Sequence, residues 1–381
     1  RSPSRGLGDV YKRQPLFSYT HKENSTIDFN RNPLLAFAMS NEGPDISIAD
    51  INNDGLEDVF MGGAKGQTSQ LFVQQKDGAF NLQQVELFQQ DAINEDVAHI
   101  FFDTNGDSFP ELLVVSGGNE FTAGKPIAPR LYLNNKGQFK KDTVFIGLDH
   151  PINASQVKAL DLDSDGDQDA FIASGTRSSI DESPRQIFLN NINNDGFLLS
   201  ENMGASQVAK QGYCNDLLYV DLDGDGTEEL ITAGDWAPIS VYSKVKGEFV
   251  FQNFNGLDDT HGWWNVIKAA DVDQDGDLDL IAGNWGLNSR LQASIEEPIT
   301  LYTKDFDDNG SEETLITYYY QGDETPFVSK DELVKQMPSI NKKYLSYTEF
   351  ANASVSDIFG KQNLANACLL YTSDAADEED S

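Results

Sequence analysis

The sequence predicts an all-β chain, a β-propeller of four-stranded antiparallel blades, and three observations predict it. A nine-residue acidic pattern, D-x-[DN]-x-[DN]-[GS]-x-x-[DE], recurs six times. Each copy sits between two short apolar runs. The copies start at Asp50, Asp103, Asp161, Asp221, Asp271 and Asp305, so the first five are 53, 58, 60 and 50 residues apart. A repeat near fifty residues holding about four strands is the signature of a propeller blade.

The strands follow from the flanks. Before the loops stand DISIA, VAHIFF, QVKAL, DLLYV, NVIKAA and ITLYTK; after them stand VFMGG, LLVVSGG, AFIASG, LITAG and LIAGN. Such runs, rich in Val, Ile, Leu and Phe and bounded by Gly and Asp, read as strands A and B. Further on, QLFVQQKDGAFN, RLYLNNKGQFK, RQIFLNNINNDGFLL and ISVYSKVKGEFVF read as C–D hairpins. The acidic loop therefore joins A to B. The last spacing, from 271 to 305, is only 34 residues. It predicts that the sixth loop is the C–D hairpin of the fifth blade, so that about five blades of a larger ring are visible.

After residue 320 the pattern turns helical. Ser329 and Glu332 form a capping box ahead of a helically spaced stretch. The expected organisation is a propeller over 15–320 and a helical insertion or exit segment over 321–367. The two ends, 1–14 and 368–381, do not share this texture. They resemble translated adapter sequence and are expected to be non-native, so the true start is expected to be missing.

The composition excludes several classes. Among 381 residues, 62 are Asp or Glu and 27 are Lys or Arg, a net charge of -35. That balance argues against nucleic acid and against anionic membrane surfaces. With 23 Phe and 13 Tyr, it does not signal disorder. Two cysteines, Cys214 and Cys368, exclude a disulfide scaffold. No apolar run is long enough for a transmembrane helix. No signal peptide is visible. The four histidines fall in no catalytic motif, so an enzyme is not the expected reading.

The clustered acids point to calcium, a hard cation taking six to eight oxygens. Positions 1, 3, 5 and 9 of each loop supply the candidate ligands. They are Asp50, Asn52, Asp54 and Asp58; Asp103, Asn105, Asp107 and Glu111; Asp161, Asp163, Asp165 and Asp169. The later loops give Asp221, Asp223, Asp225 and Glu229; Asp271, Asp273, Asp275 and Asp279; Asp305, Asp307, Asn309 and Glu313. Glycine at position 6 permits the backbone reversal, except in the second loop, where Ser108 stands. An EF-hand would need an acid at position 12. Met61, Val114, Ile172, Thr232, Ala282 and Ile316 occupy it instead.

At these residues, over roughly 40–320, the chain resembles the FG-GAP or VCBS repeat family, whose propeller also forms the integrin α-subunit head. The segments around Asp50 and Asp271 look similar to surface repeat proteins of Bacteroidota. The resemblance implies calcium in the A–B loops, a location outside the cell or on its surface, and a binding role.

Strand parity gives a candidate ligand site. If A–B and C–D turns share one end of the blades, the other connections share the opposite end. Trp236, Trp263, Trp264 and Trp285 fall there, with His261 and Asn284. They are expected either to form an exposed platform for a carbohydrate or protein ligand, or to pack between blades. The alternatives to a binding module are a calcium-dependent polysaccharide lyase or hydrolase on a propeller scaffold, and a structural spacer in a large surface protein.

Overall fold

The computed structural model describes residues 17–372 except 37, 42, 119, 122, 146–148, 150, 162–164, 175–185, 192–196, 200–207, 209–212, 255, 258 and 286–288. Its backbone follows the repeat. Four strands, β1 (Ile46–Ala49), β2 (Asp58–Met61), β3 (Gln70–Gln74) and β4 (Phe80–Gln83), form the first antiparallel sheet in sequence order. The second holds β5 (Asp96–Phe102), β6 (Glu111–Ser116), β7 (Arg130–Asn135) and β8 (Gln138–Lys141). The third holds β9 (Ala154–Leu160), β10 (Asp169–Ser174), β11 (Gln186–Asn191) and β12 (Phe197–Leu199). In the fourth, β13 (Asp216–Val220), β14 (Glu229–Ala233), β16 (Ser240–Val245) and β17 (Glu248–Gln252) pair in that order.

The first strands of successive sheets, β1, β5, β9, β13 and then β18 (Gly262–Ala270), pack side by side, as the inner strands of propeller blades do. The second strands are buried on both faces. In β6, Leu112 and Val114 face the first sheet while Leu113 and Val115 face the third. In β10, Ala170 and Ile172 face the second sheet while Phe171 and Ala173 face the fourth. This explains why these strands read as unbroken apolar runs, without polar alternation.

The fifth and sixth sheets correct the expectation for the last loop. The fifth has three strands, β15 (Asp235–Ala237), β18 and β19 (Asp279–Asn284). The sixth has β20 (Ile299–Lys304), β21 (Glu313–Tyr320), β22 (Asp323–Pro326) and β23 (Cys368–Thr372), in the order β22-β21-β20-β23. The hairpin around Asp305 thus belongs to a sheet of its own. The physical reason is that β20 pairs with β21 and β23 and not with β19. The short 34-residue spacing reflects a fifth sheet with no strand C or D among the described residues. Residues 368–372, within the stretch expected to be a non-native end, supply the edge strand β23.

The capping box at Ser329 and Glu332 forms and starts a helix at Lys330–Gln336. Four further short helices follow, up to Lys361–Ala365, and this helical segment packs on Leu315 of β21 through Leu333, Met337, Ile340, Ile358 and Phe359. The helical stretch begins later than expected, because Asp323–Pro326 still pairs with β21. At the other end of the chain, residues 17–36 and 38–40 run as a strap. Phe17 stacks on Phe72 at 4.5 Å, and the Tyr19 hydroxyl donates to the Gly62 carbonyl at 2.8 Å. Further along, Leu34 joins the helical cluster and Ala36 joins Trp236, Trp263 and Leu301. The strap thereby ties the first sheet to the last. No helix among the described residues is long and apolar enough to cross a membrane.

Candidate functional site

All six acidic loops are closed by the same register: Ala49 opposite Asp58, Phe102 opposite Glu111, Leu160 opposite Asp169, Val220 opposite Glu229, Ala270 opposite Asp279 and Lys304 opposite Glu313. Within each loop the position-6 N–H donates to the position-1 carboxylate. The distances run from 2.7 Å for Gly55 on Asp50 to 3.2 Å for Gly276 on Asp271. The position-7 N–H donates to the position-5 side chain in all six. Position 6 lies in the left-handed region throughout, at φ +83° for Gly55, +89° for Gly226 and +68° for Ser108. Position 4 does too, in Asn53, Gly106, Gly224, Gln274 and Asp308. The sequence reading treated position 4 as free; its mixture of Asn, Gly, Gln and Asp is a weak signal of that backbone.

Position 9 has a task the sequence reading missed. Its carboxylate accepts from the position-2 N–H: Ile51 on Asp58, Thr104 on Glu111, Leu222 on Glu229, Val272 on Asp279 and Phe306 on Glu313. Asp58, Glu111, Asp169, Glu229 and Glu313 are buried. Burial pushes the carboxyls of Asp58, Glu111, Glu229 and Glu313 above their ordinary range, against the lowering effect of these backbone donors. The reverse holds at Asp305, where the Gly310 N–H and its neighbours hold the carboxyl below the usual range.

The inward oxygens fit a hard cation. Three-acid groups with ligand atoms within 4.8 Å of one another form in three loops: Asp221, Asp223 and Asp225; Asp271, Asp273 and Asp279; Asp305, Asp307 and Glu313. In the first two loops position 3 is an amide, Asn52 or Asn105. Asp163 of the third lies outside the described residues. Asp221 Oδ1, Asp307 Oδ1 and Asn52 Oδ1 are buried without a hydrogen-bond donor. A buried anionic oxygen without a donor is costly unless a cation approaches it.

At the opposite end of the strands the tryptophans do come together, but Trp236, Trp263 and Trp264 are buried, each at most 6 % exposed. Trp236 and Trp263 meet edge to face at 4.9 Å, and Trp263 and Trp285 lie 5.2 Å apart. Trp236 and Trp263 seal sheets five and six, while Trp264 seals sheets four and five. The exposed platform is thus corrected to the packing alternative for these three rings, because sheets on both sides close over them. Asn284 is used in the backbone: its Oδ1 accepts from Trp263 N at 3.0 Å and Trp285 N at 2.8 Å. His261 stacks on Tyr371 at 4.9 Å, and burial lowers its affinity for a proton. It lines an open cavity of about 580 Å³ with Asp259, Tyr302, Tyr319, Glu324 and Tyr371. There the Tyr302 hydroxyl donates to Glu324 at 3.1 Å.

Fold and loops define the class: a β-propeller repeat protein, a ligand-binding or structural module. The chain carries FG-GAP-like repeats, and the model of that repeat matches residues 50–114, 103–172 and 221–282. No curated protein matches the chain. Among solved structures it is similar to an Agrocybe aegerita lectin described as recognising non-reducing terminal N-acetylglucosamine, at 17% identity and a TM-score of 0.43. That match covers 75% of this chain and 66% of the lectin, just under two thirds of its length. It is also similar to a thermostable family-43 glycoside hydrolase, at 10% identity and a TM-score of 0.34, covering 77% of this chain and 96% of that one. A putative exo-β-1,3-galactanase from Bifidobacterium bifidum s17 matches at 10% identity and a TM-score of 0.33, covering 75% and 91%. None of the three is near enough to carry a statement about this chain's ligand or chemistry.

Proposed function

We propose that this is a calcium-stabilised propeller module that works outside the cell or on its surface, presenting a binding site for a carbohydrate or protein. The observation that carries the reading is the repeated loop: six hairpins of one register, with acids converging within 4.8 Å in three of them. Calcium would be held by positions 1, 3 and 5, with position 9 added where it turns inward, as at Asp279 and Glu313. The ion would supply charge neutralisation to loops whose carboxylates otherwise repel one another. Ligand binding is assigned to the cavity beside His261, whose volume suits a small ligand.

The experiment is thermal unfolding in EDTA and in millimolar calcium, since extracellular sites of this kind bind at about 10⁻⁴–10⁻³ M. Saturating metal raises Tm by mass action. Identical melting curves would sink the calcium reading. A glycan and peptide array with wild type and Tyr319→Ala tests the cavity: wild type binds and the variant does not. The array is repeated on a chain ending at residue 367, because β23 contributes Leu369 and Tyr371 to the wall.

A further inference from the structure

A second group of carboxylates lies far along the strands from the acidic loops, where the strap crosses sheets one and two. It comprises Glu23 of the strap, Glu95 just before β5, and Glu120 after β6. Asn24 bridges two of them: its Nδ2 donates to Glu95 Oε2 at 3.3 Å and to Glu120 Oε1. Lys65 N donates to Glu95 Oε2 at 2.7 Å, and His21 Nε2 lies 2.6 Å from Glu23 Oε1. These contacts use one oxygen of each carboxylate. The other three, Glu23 Oε2, Glu95 Oε1 and Glu120 Oε2, are buried atoms with no hydrogen-bond partner. Glu95 is only 1 % exposed, so its bare oxygen is inside the protein.

We infer that Glu23, Glu95 and Glu120 form a divalent-cation site distinct from the acidic loops, one that pins the strap to sheets one and two. Three buried anionic oxygens without donors need protons or a cation. Two cations near the cluster are engaged elsewhere. Arg130 pairs with Asp96 beneath the cluster, and Lys65 Nζ lies over the Phe121 ring at 4.8 Å. An all-oxygen set with excess negative charge is the donor chemistry of calcium. Gly118 makes room: a Cβ there would stand 2.6 Å from Glu120 Oε2 and 3.4 Å from Glu95 Cγ. The three carboxylates are more spread than the loop acids. The site therefore closes on an ion only if Glu23, whose side chain is 31% exposed, and the half-buried Glu120 turn toward Glu95. Burial, with the charges of Glu120 and Glu23, pushes the Glu95 carboxyl up to about 8, in keeping with a missing counter-charge.

The test is anomalous diffraction from crystals of the full chain soaked in manganese and then in calcium, on the order of 1–10 mM. A peak between Glu23, Glu95 and Glu120 is expected. Bound calcium measured by equilibrium dialysis falls by about one ion in Glu95→Gln/Glu120→Gln, with loop peaks unchanged. Filled loops with no peak at this cluster overturn the proposal and leave the carboxyls protonated. Empty loops with a peak at the cluster uphold it and overturn the loop reading instead. Should the double variant fail to fold, Glu23→Gln on the exposed side repeats the dialysis measurement, and the wild-type crystal decides on its own.

Discussion

Ser108 is the residue at which the loop pattern strains. It occupies position 6 at φ +68°, where the five other loops have glycine. A side chain in the left-handed region costs about 1 kcal/mol, partly offset by the greater freedom of glycine in the unfolded chain. Ser108→Gly is therefore expected to stabilise the protein by up to about 0.5 kcal/mol, read from urea unfolding, with no change in calcium stoichiometry. A second residue carries pH dependence. His99 is buried between sheets one and two; Nδ1 lies 2.6 Å from Ser47 Oγ, and Nε2 lies 3.0 Å from the Asp45 carbonyl. Burial holds its pKa below the ordinary 6.5 despite Asp45 and Asp96 nearby. As pH falls below 6.5, the unfolded chain binds a proton that the folded one refuses, so stability drops as the solution is acidified. The loss is bounded at about 1.4 kcal/mol per pH unit. His99→Gln should lack this component. Parallel stability curves for variant and wild type from pH 7 to 5 would refute it.

The element that repeats is the A–B hairpin, and its parts have separable duties. Positions 6 and 7 organise the backbone, position 9 anchors position 2, and positions 1 and 3 leave oxygens without donors in Asp221, Asp307 and Asn52, the oxygens proposed to meet an ion. Asp221→Ala removes both a capping acceptor for Gly226 and a ligand oxygen. It is expected to lower bound calcium by about one ion and to loosen the fourth sheet alone, seen as faster amide exchange in β13 and β14. Loss of calcium at every loop would show that the hairpins are coupled. The tryptophans belong to this scale as well. Trp236→Ala opens a cavity between sheets five and six, at a cost of about 3–5 kcal/mol. A variant as stable as wild type would return that ring to the surface.

At the scale of the whole molecule, the strap joins what the sheets leave apart. Asp28, buried, fixes its shape by accepting from Met39 N at 2.8 Å, from Ser40 N at 3.0 Å and from the Ser40 hydroxyl. Asp28→Ala leaves buried donors without this acceptor, each costing about 1–3 kcal/mol. Limited proteolysis should then cut within residues 17–40 first, while the strands of sheets two to four stay protected. Simultaneous digestion of all sheets would mean the strap is not a separate unit. The end of the fold that the strap does not cover is also informative: with no strand C or D beyond β19 among the described residues, Ile281 of sheet five stays 52 % exposed.

The sequence by itself determined the all-β repeat, the hairpin that each acidic loop closes, and the capping box at Ser329. These are local: a nine-residue pattern, a turn glycine and an apolar run carry their own geometry, whatever lies beyond. The tertiary structure decided the rest. Whether a tryptophan lines a surface or fills a core depends on which sheet closes over it, and Trp236, Trp263 and Trp264 were covered by residues of neighbouring sheets. The separate sixth sheet had the same origin, since spacing counts residues but does not say which edge they pair with. The cluster of Glu23, Glu95 and Glu120 left no trace in the sequence either, because its members stand up to 97 positions apart and meet only where the strap crosses two sheets.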